Sequence, residues 1–561
     1  MKRLWYFLFL SLIFGANCTE RQLRKGSIQS ERGTVVKTVR IDNQIELRIT
    51  DNTKLNPSFQ IIRLDNQQTL WETPVGEKRP EAFLQLGSGE QYRPPISNGN
   101  YQVNFTLTTI TNGMKIDSVE KHEARFFQAT DELNESILIK GSLLQCSDVS
   151  SNKECQKKSD FTFTFNFIGK RLSSGYDEKE LKKNLNSMTI SFSVSVTPVS
   201  SLEINEIHTL LTLSSNDKES FHGFGESFTY FDLAGLNVPI LVSEQGVGRD
   251  EQPITDYLNK AVGEGVGGHW YTTYAPKPLF TTNYNRSLAL EITETSFFDL
   301  TKVRSQNYFT IDVWSDHFSG KLMNSDSMIE SVSKISEFTG KQSVLPRWTQ
   351  EGAIVGLEGG TENVTRIVND LLAGGVPVVG VWLQDWVGLR HSWDGDRLIW
   401  NWELNNDYYP NWEEMTSNWK KQGIRVLTYL NPFFSDPSGF VNETELRHNF
   451  YQEGLEKGYF VKQANGSTYL MYSLSIEFAT LDMTNPEART WMKNIIINQT
   501  LIEAHSSGWM CDFGEYLPFD AVMANGQTGS TYHNYYPQAW AELTAEAVKE
   551  YNEQQGITEN E

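Results

Sequence analysis

Cysteine is scarce, with 4 in 561 residues. None stands at a spacing with histidine that would hold zinc, so no metal site is expected. Basic charge is also short. There are 49 Lys and Arg against 70 Asp and Glu, a formal net charge of −21, and no long basic run occurs. This argues against a nucleic-acid-binding face and against a polybasic membrane patch. It leaves room for an anionic small molecule, since a single Arg can dominate at contact distance. No Ser or Cys motif accompanies His222 or His533, which therefore read as structural. Aromatic residues are plentiful at 12%, as in a packed globular protein. The length exceeds what one hydrophobic core serves, so two or more domains are expected.

Long apolar runs are missing as well. The run from Leu4 to Phe14 is too short to span a bilayer comfortably. It follows Lys2 and Arg3 and precedes Gly15, Ala16, Asn17 and Cys18, the layout of a secretory signal over residues 1–18. Cys18 after small residues resembles a bacterial lipoprotein signal, in which that Cys is lipidated; Asn17 departs from the small residue usual before it. A membrane-anchored lipoprotein of the cell envelope and a secreted or periplasmic protein are the two readings. In an oxidising compartment Cys146 and Cys155, in the polar loop CSDVSSNKEC, are expected to pair. So short a closed loop contributes about 2–3 kcal/mol. Cys511 is left over and reads as a small buried thiol, because no His stands near it to make a thiolate.

From about residue 30 to 340 short alternating runs recur, among them IELRIT, YQVNFTLTT, FTFTFNF and MTISFSVSVT, with polar turns between them. They predict an N-terminal antiparallel β-sandwich over 19–345, without helices of comparable strength. A Lys-rich stretch at 177–184 reads as a solvated face. After Pro346 the pattern changes. GAIVGLEGG, VPVVGVWLQDW, IRVLTYLNPFF and GWMCDFGEYLP are each followed by an amphipathic segment ending near Gly. Nearly continuous apolar strands alternating with helices predict parallel strands buried on both faces. Residues 346–561 thus read as the first half of a (β/α)8 TIM barrel, an incomplete barrel in a chain that reads as C-terminally truncated. In such barrels functional groups lie at the C-terminal ends of strands, where Glu358, Gln384 with Asp385, Asn431 and Asp512 stand.

The stretch GWMCDFGEYLP places Asp512 and Glu515 among bulky apolar side chains. Strand parity puts Gly508, Met510 and Asp512 on one face, so Asp512 can point into the barrel mouth. Taken alone, Asp512 is either a catalytic carboxylate or a strand-end cap.

From about residue 220 to the end the sequence resembles glycoside hydrolase family 31, the retaining α-glycosidases, in its sulfoquinovosidase-type branch. The resemblance is carried by FHGFGESFTYFDLAG, LVSEQGVGRDEQPIT, GLEGGTE, VWLQDWVGLRHSWDGDRLIWNW, TYLNPFF, LDMTNPEART and GWMCDFGEYLP, in that order. It implies that Asp512 is the nucleophile that attacks the anomeric carbon and forms a glycosyl-enzyme ester. A carboxylate under C1 both stabilises and traps an oxocarbenium-like transition state. Glu515 would orient neighbouring groups. The resemblance also implies that Arg397 and Trp400, at Arg-x-x-Trp spacing, bind a 6-sulfonate. Gln384 stands where ordinary α-glucosidases use an acid. The planar fork of an Arg suits sulfonate oxygens, and the indole N–H adds a donor. Alternatively, Arg397 pairs with Asp394 or Asp396 on a loop surface. Relatives carry Gln in the GxQGGTE-type motif where this chain has Glu358, which cannot donate when ionised.

The implied substrate is a carbohydrate, possibly an anionic sulfonated sugar. A neutral α-glucoside and a non-catalytic sugar-binding remnant are the alternatives. No cofactor is expected. The acid/base partner is expected beyond the C-terminus, because Asp520 lies too close to Asp512 in sequence and Glu542 and Glu546 sit on a helix. Asp482 reads as part of a capped turn formed with Thr484 or Asn485.

Overall fold

The computed structural model describes residues 34–557 except 42–43, 52–55, 76–81, 93–103, 124–131, 148–153, 171–187, 205, 264, 394, 442–445 and 474. The signal segment with Cys18, the Lys-rich stretch and Asp394 lie outside the described residues.

The N-terminal part forms antiparallel sheets of four, eight and six strands. Alternation builds them. Along Thr189–Pro198 the even-numbered Ile190, Phe192, Val194 and Val196 are buried. They pair in register with Phe167, Phe165, Phe163 and Phe161 of strand Gln156–Lys170. One apolar face results, as a period of two requires. Aromatic rings join the three sheets across a single core. Phe59 of the four-stranded sheet meets Phe165 of the eight-stranded sheet at 5.2 Å between centroids. Phe221 of the eight-stranded sheet meets Phe309 of the six-stranded sheet at 5.4 Å. Cys146 and Cys155 are disulfide-bonded, with Cα atoms 4.1 Å apart.

Short helices do occur in this part, which the sequence reading did not single out. Met328–Thr339 is started by a capping box: the Glu330 amide donates to Ser327 Oγ at 3.2 Å, and the Asp326 amide donates to Glu330 Oε2 at 2.9 Å. A second, shorter helix spans Ile254–Ala261. Both are mostly solvent-facing, which weakens the apolar period that would reveal them.

The C-terminal part is built on four parallel strands, hydrogen-bonded in chain order: Ala353–Leu357, Val378–Leu383, Arg425–Leu430 and Trp509–Cys511. Helices Gly360–Ala373 and Trp412–Lys421 cross between the first three strands. The third crossover differs from expectation. The helix expected there, Phe450–Lys457, has only eight residues. It sits beside a three-stranded antiparallel sheet of Phe433–Phe434, Ile476–Thr480 and Leu470–Ser473. The helix that returns to the sheet is Pro486–Ile495, capped by Asn485, whose side chain accepts from the Glu487 and Ala488 amides. It packs along the last helix, Tyr536–Gln555, through Arg489 Nη2 at 2.7 Å from Glu546 and an ion pair of Lys493 with Glu550. A separate core underlies this part.

The two parts are tied together near the turn after Glu515. Asn534 accepts from the Val242 amide at 2.9 Å and donates to the Ile240 carbonyl at 3.0 Å. The buried His533 ring lies between the carbonyls of Leu517 and Val242, each 2.7 Å from a ring nitrogen. This is the structural role read for His533.

Candidate active site

Asp512 continues the ladder of the last parallel strand, its amide donating to the Leu430 carbonyl at 2.9 Å. The chain then bends sharply through Phe513 (φ 60°) and Gly514 (φ 128°). Gly514 is required: a Cβ there would lie 2.8 Å from Pro537 Cα. The bend lets the Asp512 side chain reach Tyr429, whose Oη donates to Asp512 Oδ2 at 2.5 Å. Asn431 Nδ2 donates to Tyr429 Oη at 3.2 Å, and Asn431 Oδ1 accepts from the Phe433 amide at 2.9 Å. Burial first, then the Asp512 charge, pushes the Tyr429 phenol far above its usual range. It therefore stays a donor at any ordinary pH.

A cavity of about 280 Å³ opens at the C-terminal ends of these strands. Asp512, Glu358, Gln384, Arg397, Trp400 and Tyr429 all line it. The five residues singled out from sequence thus share one cavity. A larger hollow of about 490 Å³ lies at the opposite ends of the strands, against Arg425, Val426 and Ser507. Barrel chemistry belongs to the C-terminal ends, so the smaller cavity is the candidate.

Arg397 lies on a two-stranded hairpin, Leu389–Ser392 with Gly395–Leu398. On that hairpin Asp396 contacts the His391 ring Nδ1 at 2.5 Å. Trp400 is buried against Phe433, Phe478 and Phe513, at 5.5, 5.2 and 5.8 Å between centroids. Glu358 is exposed at the end of its strand. The adjacent Asp385 is fully buried and brackets two loops, accepting from the Gly359 amide at 2.8 Å and from Tyr409 Oη. Burial raises its pKa, against those two hydrogen bonds.

The remaining acids lie elsewhere. Asp520 accepts from Tyr469 Oη at 3.1 Å. Glu542 accepts from Tyr535 and Gln538, and Glu546 pairs with Arg489. Asp482 accepts from the Thr484 and Ala524 amides in a closed turn. His222 contacts the Phe231 carbonyl at 2.8 Å through Nδ1. Part of Cys511 is exposed, yet burial of its thiol, with Sγ 3.8 Å from Thr544 Oγ1, pushes its pKa up to about 11. A thiol with that pKa is protonated at neutral pH and is no nucleophile. Among the described residues no group of three or more His, Cys, Asp or Glu is arranged to hold a metal ion.

Three groups near Asp512 were not singled out from sequence. Tyr429 is one. The others, Glu244 and Tyr274, come from the N-terminal part, where the segment containing LVSEQG reaches the turn after Asp512. Tyr274 Oη donates to Glu244 Oε1 at 2.5 Å, and Tyr516 Oη donates to Oε2 at 3.5 Å. The Glu244 carboxyl is within hydrogen-bonding reach of the Glu515 carboxyl. The position of Tyr429 at the end of a barrel strand, two residues before Asn431, could have marked it. Glu244 stands in the stretch LVSEQGVGRDEQPIT, but nothing in that stretch singles it out as the partner of Glu515.

Residues 342–558 match the glycosyl hydrolases family 31 TIM-barrel domain. The chain is 32% identical over 347 residues to the sulfoquinovosidase of Escherichia coli K12, covering 62% of this chain and 49% of that protein. It is 33% identical over 339 residues to the sulfoquinovosidase of Agrobacterium fabrum, covering 60% and 49%. A solved family 31 sulfoquinovosidase from E. rectale, bound to an aza-sugar inhibitor, superposes with a TM-score of 0.68 at 26% identity, covering 90% of this chain and 64% of that one. The chain spans about half the length of the curated relatives it matches.

Proposed function

We propose that this chain belongs to a retaining α-glycosidase that hydrolyses α-sulfoquinovosides, with Asp512 as nucleophile. The observation that carries the reading is that Arg397, Trp400 and Gln384 line the same cavity as Asp512. In the first step a carboxylate oxygen of Asp512 bonds to C1 of the sugar as the C1–O bond to the aglycone breaks. The departing oxygen takes a proton from a second carboxyl about 5–5.5 Å away. In the second step water, deprotonated by that same carboxyl, attacks C1 and frees Asp512. Tyr429 holds Asp512 in place, and the aromatic wall around Trp400 keeps water from the developing cation.

Glu358 favours a second reading, a neutral α-glucosidase, because an ionised carboxylate in the cavity repels a sulfonate. Rates on an aryl α-sulfoquinovoside and an aryl α-glucoside, measured with the full chain, separate the two; equal turnover overturns the sulfonate reading. Arg397→Lys keeps the charge and loses the fork. It is expected to raise KM about tenfold or more for the sulfonated sugar alone. Export and lipidation at Cys18 are part of the proposal. A mature N-terminus with unmodified Thr19 in mass analysis would refute the lipid anchor.

A further inference from the structure

The turn that carries the nucleophile is not held by its own domain alone. Glu515, three residues after Asp512, is buried. Its carboxyl meets that of Glu244, from the N-terminal part. A carboxylate accepts hydrogen bonds and cannot donate one, so two carboxyls within hydrogen-bonding reach form a bond only if one of them keeps its proton. Among the described residues, the groups found facing the pair supply hydroxyls and a carboxylate rather than a cation. They are Tyr274 and Tyr516, which donate to Glu244, and Asp512 with its donor Tyr429.

We propose that Glu244 and Glu515 share a single proton and act together as a positioning pair, clamping the Asp512 turn to the N-terminal sheets. The proposal rests on Asp512 being the nucleophile. The pair carries one negative charge instead of two, which lessens the like-charge repulsion around Asp512. Like charges in so small a space cannot all ionise. Burial, followed for Glu515 by the Glu244 charge, holds both carboxyls above the ordinary glutamate range, Glu515 well above it. The clamp lies in the same region as the Val242 contacts of His533 and Asn534, so the N-terminal part meets the nucleophile turn from both sides of Tyr516.

The test is made on the full chain at neutral pH by difference infrared spectroscopy in the protonated-carboxyl region. The wild-type spectrum minus that of Glu244→Gln, and minus that of Glu515→Gln, should each show the loss of one buried protonated carboxyl. Any other protonated carboxyl cancels in the difference. Difference spectra that show no such loss in either variant overturn the proposal, whatever the activity.

The second readout is turnover of the aryl α-sulfoquinovoside and the aryl α-glucoside. Glu515→Ala is expected to lower kcat roughly 100-fold by letting the turn move. Glu515→Gln, whose amide donates to Glu244 without needing a shared proton, should recover most of that loss and extend activity to higher pH. Equal losses in the two variants, with unchanged pH profiles, overturn the positioning role. Covalent labelling of a residue other than Asp512 by a fluorosugar would defeat the nucleophile reading while leaving the infrared result for the pair intact.

Discussion

The two parts of the chain hold buried acids in opposite ways. Among the described residues, the acids buried inside the antiparallel sheets meet a cation or an imidazole. Glu219 meets Arg286 in a fork, Nε to Oε1 at 2.5 Å and Nη2 to Oε2 at 2.6 Å, and Arg286 stacks over Trp71 at 4.7 Å. Asp312 takes His208 Nδ1 at 2.8 Å, and Glu135 pairs with Lys121 at 2.8 Å. At the mouth of the parallel sheet the acids meet hydroxyls and each other: Asp385 with Tyr409, Asp512 with Tyr429, Glu515 with Glu244. Farther from the mouth the parallel part uses a cation too, Arg447 Nε lying 3.0 Å from Glu403. A carboxylate cancelled by a guanidinium is a cross-link. One held by neutral donors keeps its field available for a positive charge that develops only in a transition state.

This contrast is broken most directly at its two extremes. Asp512→Asn should lower kcat on the order of 10⁴-fold, about 5.5 kcal/mol of barrier, with a thermal midpoint unchanged or raised because a charge leaves a crowded acidic cluster. Kinetics on an aryl α-glycoside and a melting curve check both halves. A strongly destabilised Asp512→Asn would make Asp512 a structural acid like those of the antiparallel part. Glu219→Ala should do the reverse. It leaves Arg286 buried without its carboxylate and is expected to cost about 3–5 kcal/mol of folding stability, read by urea denaturation, with KM unchanged.

The acids of the mouth were legible in sequence to different depths. Asp512, Arg397 and Trp400 stand in short contiguous motifs, and parity places Asp512 on the inward face. The four parallel strands were legible because their apolar runs are long and each is followed by a helix-period segment. The antiparallel sheet in the third crossover was not: Phe433–Phe434 and Leu470–Ser473 are too short to show a period. The helix Met328–Thr339 had its signal in Ser327 and Glu330, a capping box hidden by a weak apolar stripe. The stretch LVSEQGVGRDEQPIT that holds Glu244 was legible by resemblance, but the contact of Glu244 with Glu515 was not. Glu515 lies in the other part of the chain, and only the folded arrangement brings the two carboxyls together.

Tyr429 sharpens the comparison with a smaller effect. Tyr429→Phe removes one hydroxyl and leaves the ring packed against Trp402 at 6.0 Å. A hydrogen bond to a charged group is worth about 1.5–3 kcal/mol. The expected fall in kcat/KM is therefore roughly 10- to 100-fold, with a midpoint shift much smaller than that of Glu219→Ala. If stability falls and turnover does not, the hydroxyl serves packing and the Asp512 contact is incidental.

Asp385 gives the smallest effect and the one whose sign depends on pH. It lies beside Gln384, yet its work is to hold Gly359 and Tyr409. Burial raises its pKa from the ordinary 3.8. The folded chain therefore keeps the proton to higher pH than the unfolded chain does. Between the two pKa values the folded state binds more protons, so stability falls as pH rises through that window and stays lower above it. Asp385→Asn removes the titration and keeps both partners, since the amide oxygen accepts from Gly359 and its NH₂ donates to Tyr409. The variant should match the wild type at acidic pH and exceed it at neutral pH. Urea midpoints measured across pH 3–7 read this directly. A variant less stable than wild type at neutral pH would mean that the Tyr409 hydrogen bond outweighs the buried charge, placing Asp385 with the cancelled acids of the antiparallel part.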